Sequence, residues 1–531
     1  MSPSSANPTR RQWLLALGRH AGSGAAYAAM AGLGLAHASP AATEFALQGA
    51  PKGKRVLIVG AGVAGMVAGY ELQRAGYQVQ LIEFNQRAGG RCWTLRGGDR
   101  FTELGGATQV CRFDKGQYLN PGPWRIPHHH HGLLSYCRRF GVELQPFIHV
   151  NHNAYLHSPR LFGGKPQRLR SMQADGHGHV SELLAKVVAR HQLDQELSVE
   201  DREKLREALR EFGGLDREFR YRPGPNYTLR RGFEPHEGQN VSADPPAEQP
   251  VGLHELLDAG LWGALAHNAE FDFQMPLFQP VGGMDAVARA LAKAVGPRIQ
   301  YRTRVRSIGQ DEQGVSVECE DLARPGSPVR TLKADYCVVA IPLSVLSQLE
   351  IAVGPALKAA ISACPYAAAA KVGLQFKRRF WEQDEGIYGG ISYTELPNRV
   401  IGYPSHEIHS RKGVLLGAYA FGPNAFEYTA MAPERRLRET LAMVGQVHPQ
   451  AAAEFECGIS VGWHRSPFSL GCFGEWDDEA RRVHYPALLK MDGRIVLAGE
   501  HASLLPGWQE GAVLSARHAI TELHRRASAR G

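Results

Sequence analysis

Hydrophobic positions along the chain change period several times, and each change predicts an element. Val56 to Val59 is an unbroken apolar run, the pattern of a parallel strand covered on both faces. Beyond it Val67, Ala68 and Leu72 recur at helical spacing, Gly76 ends the helix, and Val79 to Ile82 supplies a second strand. Residues 54–83 therefore read as one βαβ unit. Val180, Leu183, Leu184, Val187 and Val188 keep the i, i+3, i+4 spacing of one buried helical face. Ser198-Val-Glu-Asp201 reads as a capping-box-like start for a second helix carrying Leu205, Leu209 and Phe212, stopped by Gly213-Gly214. Residues 220–250, rich in proline and glycine, read as a long loop. Alternating stretches around Val305 and Val315 to Val317 predict strands, and Cys337 to Ile341 is another apolar run.

The first βαβ unit also carries candidate chemistry. Between its strand and helix stands Gly60-x-Gly62-x-x-Gly65, and Glu83 lies 18 residues past the last glycine. Gly60 makes the turn, Gly62 lets the backbone approach a pyrophosphate, and Gly65 lets helix pack on strand. The helix start then offers free N–H groups and the positive end of its dipole to phosphates, while an acid at Glu83 suits an adenosine ribose. This is a dinucleotide site.

Composition narrows the partners. At 531 residues, with 44% hydrophobic and 21% charged positions, the chain is long enough for two or three domains. A net charge of +8, without basic arms or interleaved aromatics, argues against nucleic acid. Eight cysteines are scattered singly, with no C-x-x-C pair, so no zinc or redox motif is expected. Arg10-Arg11, the weakly apolar stretch from Gly22 to Ala36, and Ala36-His37-Ala38 resemble a twin-arginine export signal over residues 1–38. That stretch is too short and glycine-rich for a membrane span in the mature chain. Twin-arginine export carries folded, cofactor-loaded proteins, so a periplasmic or secreted enzyme is expected.

Further motifs choose the cofactor. Gln86-Arg87-Ala88-Gly89-Gly90-Arg91 and Glu103-Leu104-Gly105-Gly106 resemble signatures of the flavin amine oxidase family, and so do Arg494-IVLAGEHAS and Pro506-GWQEGAVLSARHAI near the C-terminus. The resemblance runs from about residue 52 to about residue 525. It implies an α/β chain, α+β overall. A Rossmann-type FAD-binding domain of glutathione-reductase/monoamine-oxidase type is built from residues 52–112, 277–342 and 476–527. A mixed-sheet substrate domain takes residues 113–174 and 343–475, and a helical insertion residues 175–276. It implies FAD held by Gly60, Gly62, Ala64, Gly65, Glu83, Gly90, Arg91, Gly105, Gly106, Val305, Gly499, Glu500, Trp508, Gln509 and Ala512.

The stretch Asn120-Pro-Gly-Pro-Trp-Arg-Ile-Pro-His-His-His-His offers two competing chemistries. Adjacent histidines on a helix point about 100° apart, so few could converge on one ion. No carboxylate or cysteine completes a ligand set at useful spacing. The four histidines read as a helix start, and no metal is expected. Gly122-Pro123-Trp124-Arg125-Ile126-Pro127 instead resembles the L-amino acid oxidase branch, where the arginine grips the substrate carboxylate through a bidentate pair. Arg112, on an apparent insertion from Ala107 to Asn120, is a rival anchor. By the same resemblance Tyr419 assists the arginine, Lys371 reaches the flavin through a water, and Trp508 and Phe473 face the ring. Cys472 falls where monoamine oxidases attach flavin covalently, whereas the L-amino acid branch binds FAD noncovalently.

The implied activity is oxidative deamination of L-amino acids by FAD and O2, giving 2-oxo acid, ammonia and hydrogen peroxide; a homodimer is expected. Alternatives are a primary-amine or polyamine oxidase, an amino-acid 2-monooxygenase of the same fold, and an inactive flavin-carrying binding protein.

Overall fold

A computed structural model describes residues 45–529 apart from 234–245, 259–261 and 268. The expected export signal at residues 1–38 lies outside the described residues.

The βαβ unit forms as its periodicity requires. Arg55–Val59 is the middle strand of a five-stranded parallel sheet, ordered Ile299–Gln300, Gln78–Ile82, Arg55–Val59, Tyr336–Val339, Ile495–Leu497. Val56 to Val59 are all buried. Each such side chain removed from water contributes roughly 1.5–3 kcal/mol before entropy is counted. The helix Val63–Ala75 covers the sheet and stops at Gly76, whose left-handed backbone (φ 104°) lets its N–H reach the carbonyls of Leu72 and Gln73. Strands from three distant parts of the chain thus end side by side, and their carboxyl ends open on one crevice.

A seven-stranded sheet carries the other half of the fold, ordered Gln167–Arg168, Tyr155–His157, Gly390–Thr394, Val400–Tyr403, Gly413–Phe421, Ala369–Phe376, Phe455–Gly462. Ala369–Phe376 is buried along its whole length, with a partner on each side. The antiparallel register sets Lys371 opposite Tyr419, so the two side chains share a face and can touch.

The two insertion helices form, over Leu169–Ala189 and Val199–Gly213. The Ser198 side chain accepts from the Asp201 N–H, and Gly214 closes the second helix in the left-handed region (φ 64°). The expected apolar faces differ. Val180, Leu183 and Phe212 are exposed, while Met172, Asp175, Ala185 and Val188 face inward. The inward stripe is partly polar: fully buried Asp175 accepts from Arg231 Nε at 2.9 Å and from the Tyr221 hydroxyl at 2.7 Å. A pattern of apolar residues alone misses such a face. The helix after the histidine run begins only at the fourth of them, His131–Arg139; His128 to His130 lie in the turn before it. No described helix is long and apolar enough to cross a membrane.

Candidate active site

One cavity of about 900 Å³ runs from the glycine turn, past the carboxyl ends of the parallel strands, to the aromatic face of the large sheet. That is near the top of the range of about 300–1,000 Å³ for small-molecule sites.

At its nucleotide end the glycines divide their duties by position. A Cβ on Gly60 would sit 2.6 Å from the Ala340 carbonyl oxygen, and one on Gly65 would sit 2.0 Å from that of Gly60. Both are needed for backbone approach. A Cβ on Gly62 would meet nothing within 4 Å. Its missing side chain leaves room in the cavity, at the N-cap of Val63–Ala75, where no side chain caps the free N–H groups. Val63 and Ala64 line the same space, with Gly65 behind them. Glu83 is fixed at the strand end, accepting from the Ala61 N–H (2.8 Å) and from the backbone and side-chain amides of Asn85 (2.8 Å each). Val305 lines this end from the strand Thr303–Gln310.

Toward the middle, Gly90, Arg91, Gly499, Glu500, Gln509 and Ala512 contribute to the wall. Arg91 donates to Glu500 Oε1 and to the Cys472 carbonyl, both at 2.7 Å, locking the C-terminal segment to the glycine-rich one. Gln509 Oε1 and His501 Nε2 are buried without a hydrogen-bond partner among the described residues, and both residues line the cavity. Buried polar atoms are seldom left so. Together with the open cradle at Gly62 and the bare helix start, they fit a bound dinucleotide with a polar ring system.

Gly105 and Gly106 stand elsewhere. They form the turn between the short strands Arg100–Thr102 and Thr108–Val110, exposed and outside the cavity wall. Beneath them Glu103 is buried in an ion pair with Arg436 rather than facing a ligand. The glycine that does line the cavity in this part of the chain is Gly122, where a Cβ would fall 1.9 Å from the Arg91 carbonyl oxygen. The hairpin lies at the surface, so its Glu-Leu-Gly-Gly does not reach the cavity wall.

At the far end the cavity is aromatic. Arg125 projects into it, its guanidinium 4.3 Å from the Phe273 ring centroid, 5.5 Å from Trp124 and 5.9 Å from Trp508. Its Nε has no partner, and no carboxylate pairs with it among the described residues. Burial pushes its pKa down to about 10; it stays charged at neutral pH, at a desolvation cost that a bound anion would offset. Arg112, the rival anchor, is exposed on the surface away from the cavity. Tyr419, Phe473 and Trp508 all line the aromatic end.

Lys371 stands behind that wall. Its Nζ donates to the carbonyls of Gly122 (2.7 Å) and Asn120 (3.3 Å) and lies 4.3 Å from the Tyr419 ring centroid. Burial, with Arg125 adding to it, pushes its pKa down to about 7. Cys472 lines the cavity, but burial raises its thiol to about 11, far from the thiolate that sulfur chemistry needs.

Sequence reasoning missed several contributors. Among them, Phe273 and His267 come from the insertion, Tyr393 from the strand Gly390–Thr394, and Arg399 from the turn that leads into the strand Val400–Tyr403. No spacing links them to Arg125. His130 also enters the wall, edge-on to Trp508 at 5.0 Å, and burial holds it neutral with a pKa of about 3.

Comparison with known proteins gives a consistent picture. The family described as flavin containing amine oxidoreductase matches residues 63–523. The chain is 27% identical over 490 residues to an L-amino-acid oxidase of Siganus canaliculatus, covering 88% of this chain and 85% of that one. It is 28% identical over 487 residues to the L-amino acid oxidase bordonein-L of Crotalus durissus terrificus, covering 89% and 87%. Among solved structures it resembles cyclohexylamine oxidase from Brevibacterium oxydans IH-35A, with a TM-score of 0.59 at 18% identity over 90% of this chain and 99% of that one. Putrescine oxidase bound to putrescine has a TM-score of 0.57 at 18% identity, over 92% of this chain and 99% of that one. Likeness at that identity speaks for the fold.

Proposed function

The chain belongs to the flavin-containing amine oxidoreductases, and from that premise we propose that it oxidatively deaminates L-amino acids, releasing 2-oxo acid, ammonia and hydrogen peroxide. Bound FAD supplies the two-electron acceptor and its reoxidation by O2. The protein supplies position and charge. One observation carries the choice of substrate: a guanidinium, Arg125, projects into an aromatic cavity with, among the described residues, an unpartnered Nε and no carboxylate paired to it. Such a fork binds a carboxylate through two parallel hydrogen bonds and fixes its orientation. A simple amine would leave the charge buried and unanswered.

The remaining residues suit that reading. Trp508 and Phe473 form walls around the reacting carbon, and Tyr419 stacks between Lys371 and the cavity. The buried charge of Arg125 disfavours a second positive charge beside it, and Lys371 adds to this only below about pH 7, so a bound substrate sheds its ammonium proton more easily and presents a neutral amine. Nearby His130 and His149 are both held neutral by burial, with pKa values of about 3.

Peroxide release measured across the twenty L-amino acids, their D-forms and the matching decarboxylated amines tests the proposal. Turnover confined to carboxylate-bearing L-substrates is expected. Equal turnover of an amino acid and its amine would assign a primary-amine oxidase instead.

Lys371 predicts a pH signature. Lys371→Met is expected to lower kcat by about 10²-fold and to remove an ionisation near pH 7 from the kcat profile. Stability has a defined sign as well. The folded value lies below the ordinary lysine value of about 10.4, so between roughly pH 7 and 10.4 the unfolded chain holds the extra proton. Wild-type stability therefore rises with pH across that window. The rise should be missing from denaturation midpoints of the variant.

Arg10-Arg11 supports export to the periplasm or beyond in folded, flavin-loaded form. Fractionation of cells expressing the full chain should place the flavoprotein outside the cytoplasm; retention inside would remove that part of the proposal.

A further inference from the structure

The histidine run, left over by the proposed function, acquires a partner that its spacing does not reveal. Asp272, on the short helical turn Phe271–Phe273, lies with its Oδ1 3.1 Å from His129 Nε2. One donor atom from each of His129, His130 and Asp272 falls within 4.8 Å of the others. Among the described residues His130 Nε2 is buried without a hydrogen-bond partner, on a residue only 1% exposed. We propose that these three side chains hold a divalent transition-metal ion, Zn2+ being the best fit, beside the aromatic end of the cavity.

Helical geometry, which would splay neighbouring histidines, does not govern this pair, because both precede the first helical residue, His131. Their rings stand nearly perpendicular, with centroids 4.9 Å apart and an interplanar angle of 86°. Zn–N and Zn–O bonds of about 2.0–2.2 Å need donors roughly 3.3 Å apart. The pair at 3.1 Å already meets that, and the third donor lies within 4.8 Å of both. Two imidazoles and one carboxylate suit Zn2+ better than Mg2+ or Ca2+. A fourth position stays open to water, since Asp272 is 35% exposed. The positive end of the following helix would repel a cation, but it is already answered: Glu510 accepts from the N–H groups of Gly132 (2.8 Å) and Leu133 (2.6 Å). Such an ion would tie the turn that carries Phe273 to the loop that carries Arg125.

The test is equilibrium dialysis of the untagged flavin-loaded protein against Zn2+. One ion per chain is expected, with at least tenfold weaker binding in Asp272→Asn and in His129→Gln, each checked for retained flavin absorbance. Visible absorption of a tetrahedral Co2+ centre, present in the wild type and lost in Asp272→Asn, gives a second reading on protein of either stability. Absence of stoichiometric Zn2+ binding would overturn the site. Binding undiminished in both variants would do the same, by placing the ion on other residues.

Discussion

Arg125→Ala is expected to cut kcat/KM for L-amino acids by about 10²–10³-fold, since truncating one partner of a buried charge pair costs on the order of 3–4 kcal/mol. Bound flavin should be retained, because the side chain ends among Trp124, Phe273 and Trp508 at the cavity end remote from the glycine turn. The loss should fall mainly on KM. Arg125→Lys should recover only part of the activity, as an ammonium keeps charge without the planar fork. Arg112→Ala, a change on the surface, should behave as wild type. Steady-state peroxide kinetics on the four proteins decide the matter. An unchanged KM in Arg125→Ala beside a collapse in Arg112→Ala would move the anchor to the other arginine.

Why Arg125 can be read from sequence, and its surroundings cannot, follows from the way each is positioned. Arg125 sits in a stretch of glycine and prolines, Gly122-Pro-Trp-Arg-Ile-Pro127, whose backbone limits its direction locally. Likewise the Gly60-to-Glu83 unit is a local object: a strand, a turn and a helix whose residues touch one another within a short span. The belonging of the chain to its family and its α/β fold were legible for that reason. Phe273, Tyr393 and Arg399 reach the same cavity only through the packing of separate elements, and nothing in their local pattern marks them. His129 and Asp272 meet across 143 positions, so spacing could not pair them. Gly105 and Gly106 illustrate the converse. Their motif has the right letters, but the surrounding strands make a surface hairpin, and a motif acts only where its backbone is delivered to the ligand. The helix Leu169–Ala189 misleads for a third reason. Its inward face is held by the Asp175–Arg231 pair, which hydrophobic periodicity does not count.

Gly62→Val is expected to yield a folded protein with less than about a tenth of its normal flavin. The argument rests on what each glycine faces. Gly62 has an extended backbone, φ −71° and ψ 179°, that a β-branched residue adopts without strain, and a Cβ there would touch no protein atom within 4 Å. The added side chain would instead occupy the space where phosphate oxygens meet the bare N–H groups of Val63–Ala75. Hydrogen bonds to a charged acceptor contribute about 1.5–3 kcal/mol each, so losing two weakens FAD by about 10²-fold or more. Gly65→Ala is the contrasting case: its Cβ would lie 2.0 Å from the Gly60 carbonyl oxygen, so helix and turn must separate and the fold itself is damaged. Flavin absorbance per chain, read beside the thermal midpoint, separates the two, with Gly62→Val pale and stable at the wild-type apoprotein's midpoint and Gly65→Ala pale and destabilised. In the wild type, acid precipitation is expected to leave the flavin in the supernatant, because burial raises the Cys472 thiol to about 11 and so disfavours the thiolate that a thioether bond would need. Gly62→Val purified with a full complement of FAD would show that the cofactor does not use this turn, and flavin pelleting with the acid-precipitated wild type would show a covalent bond.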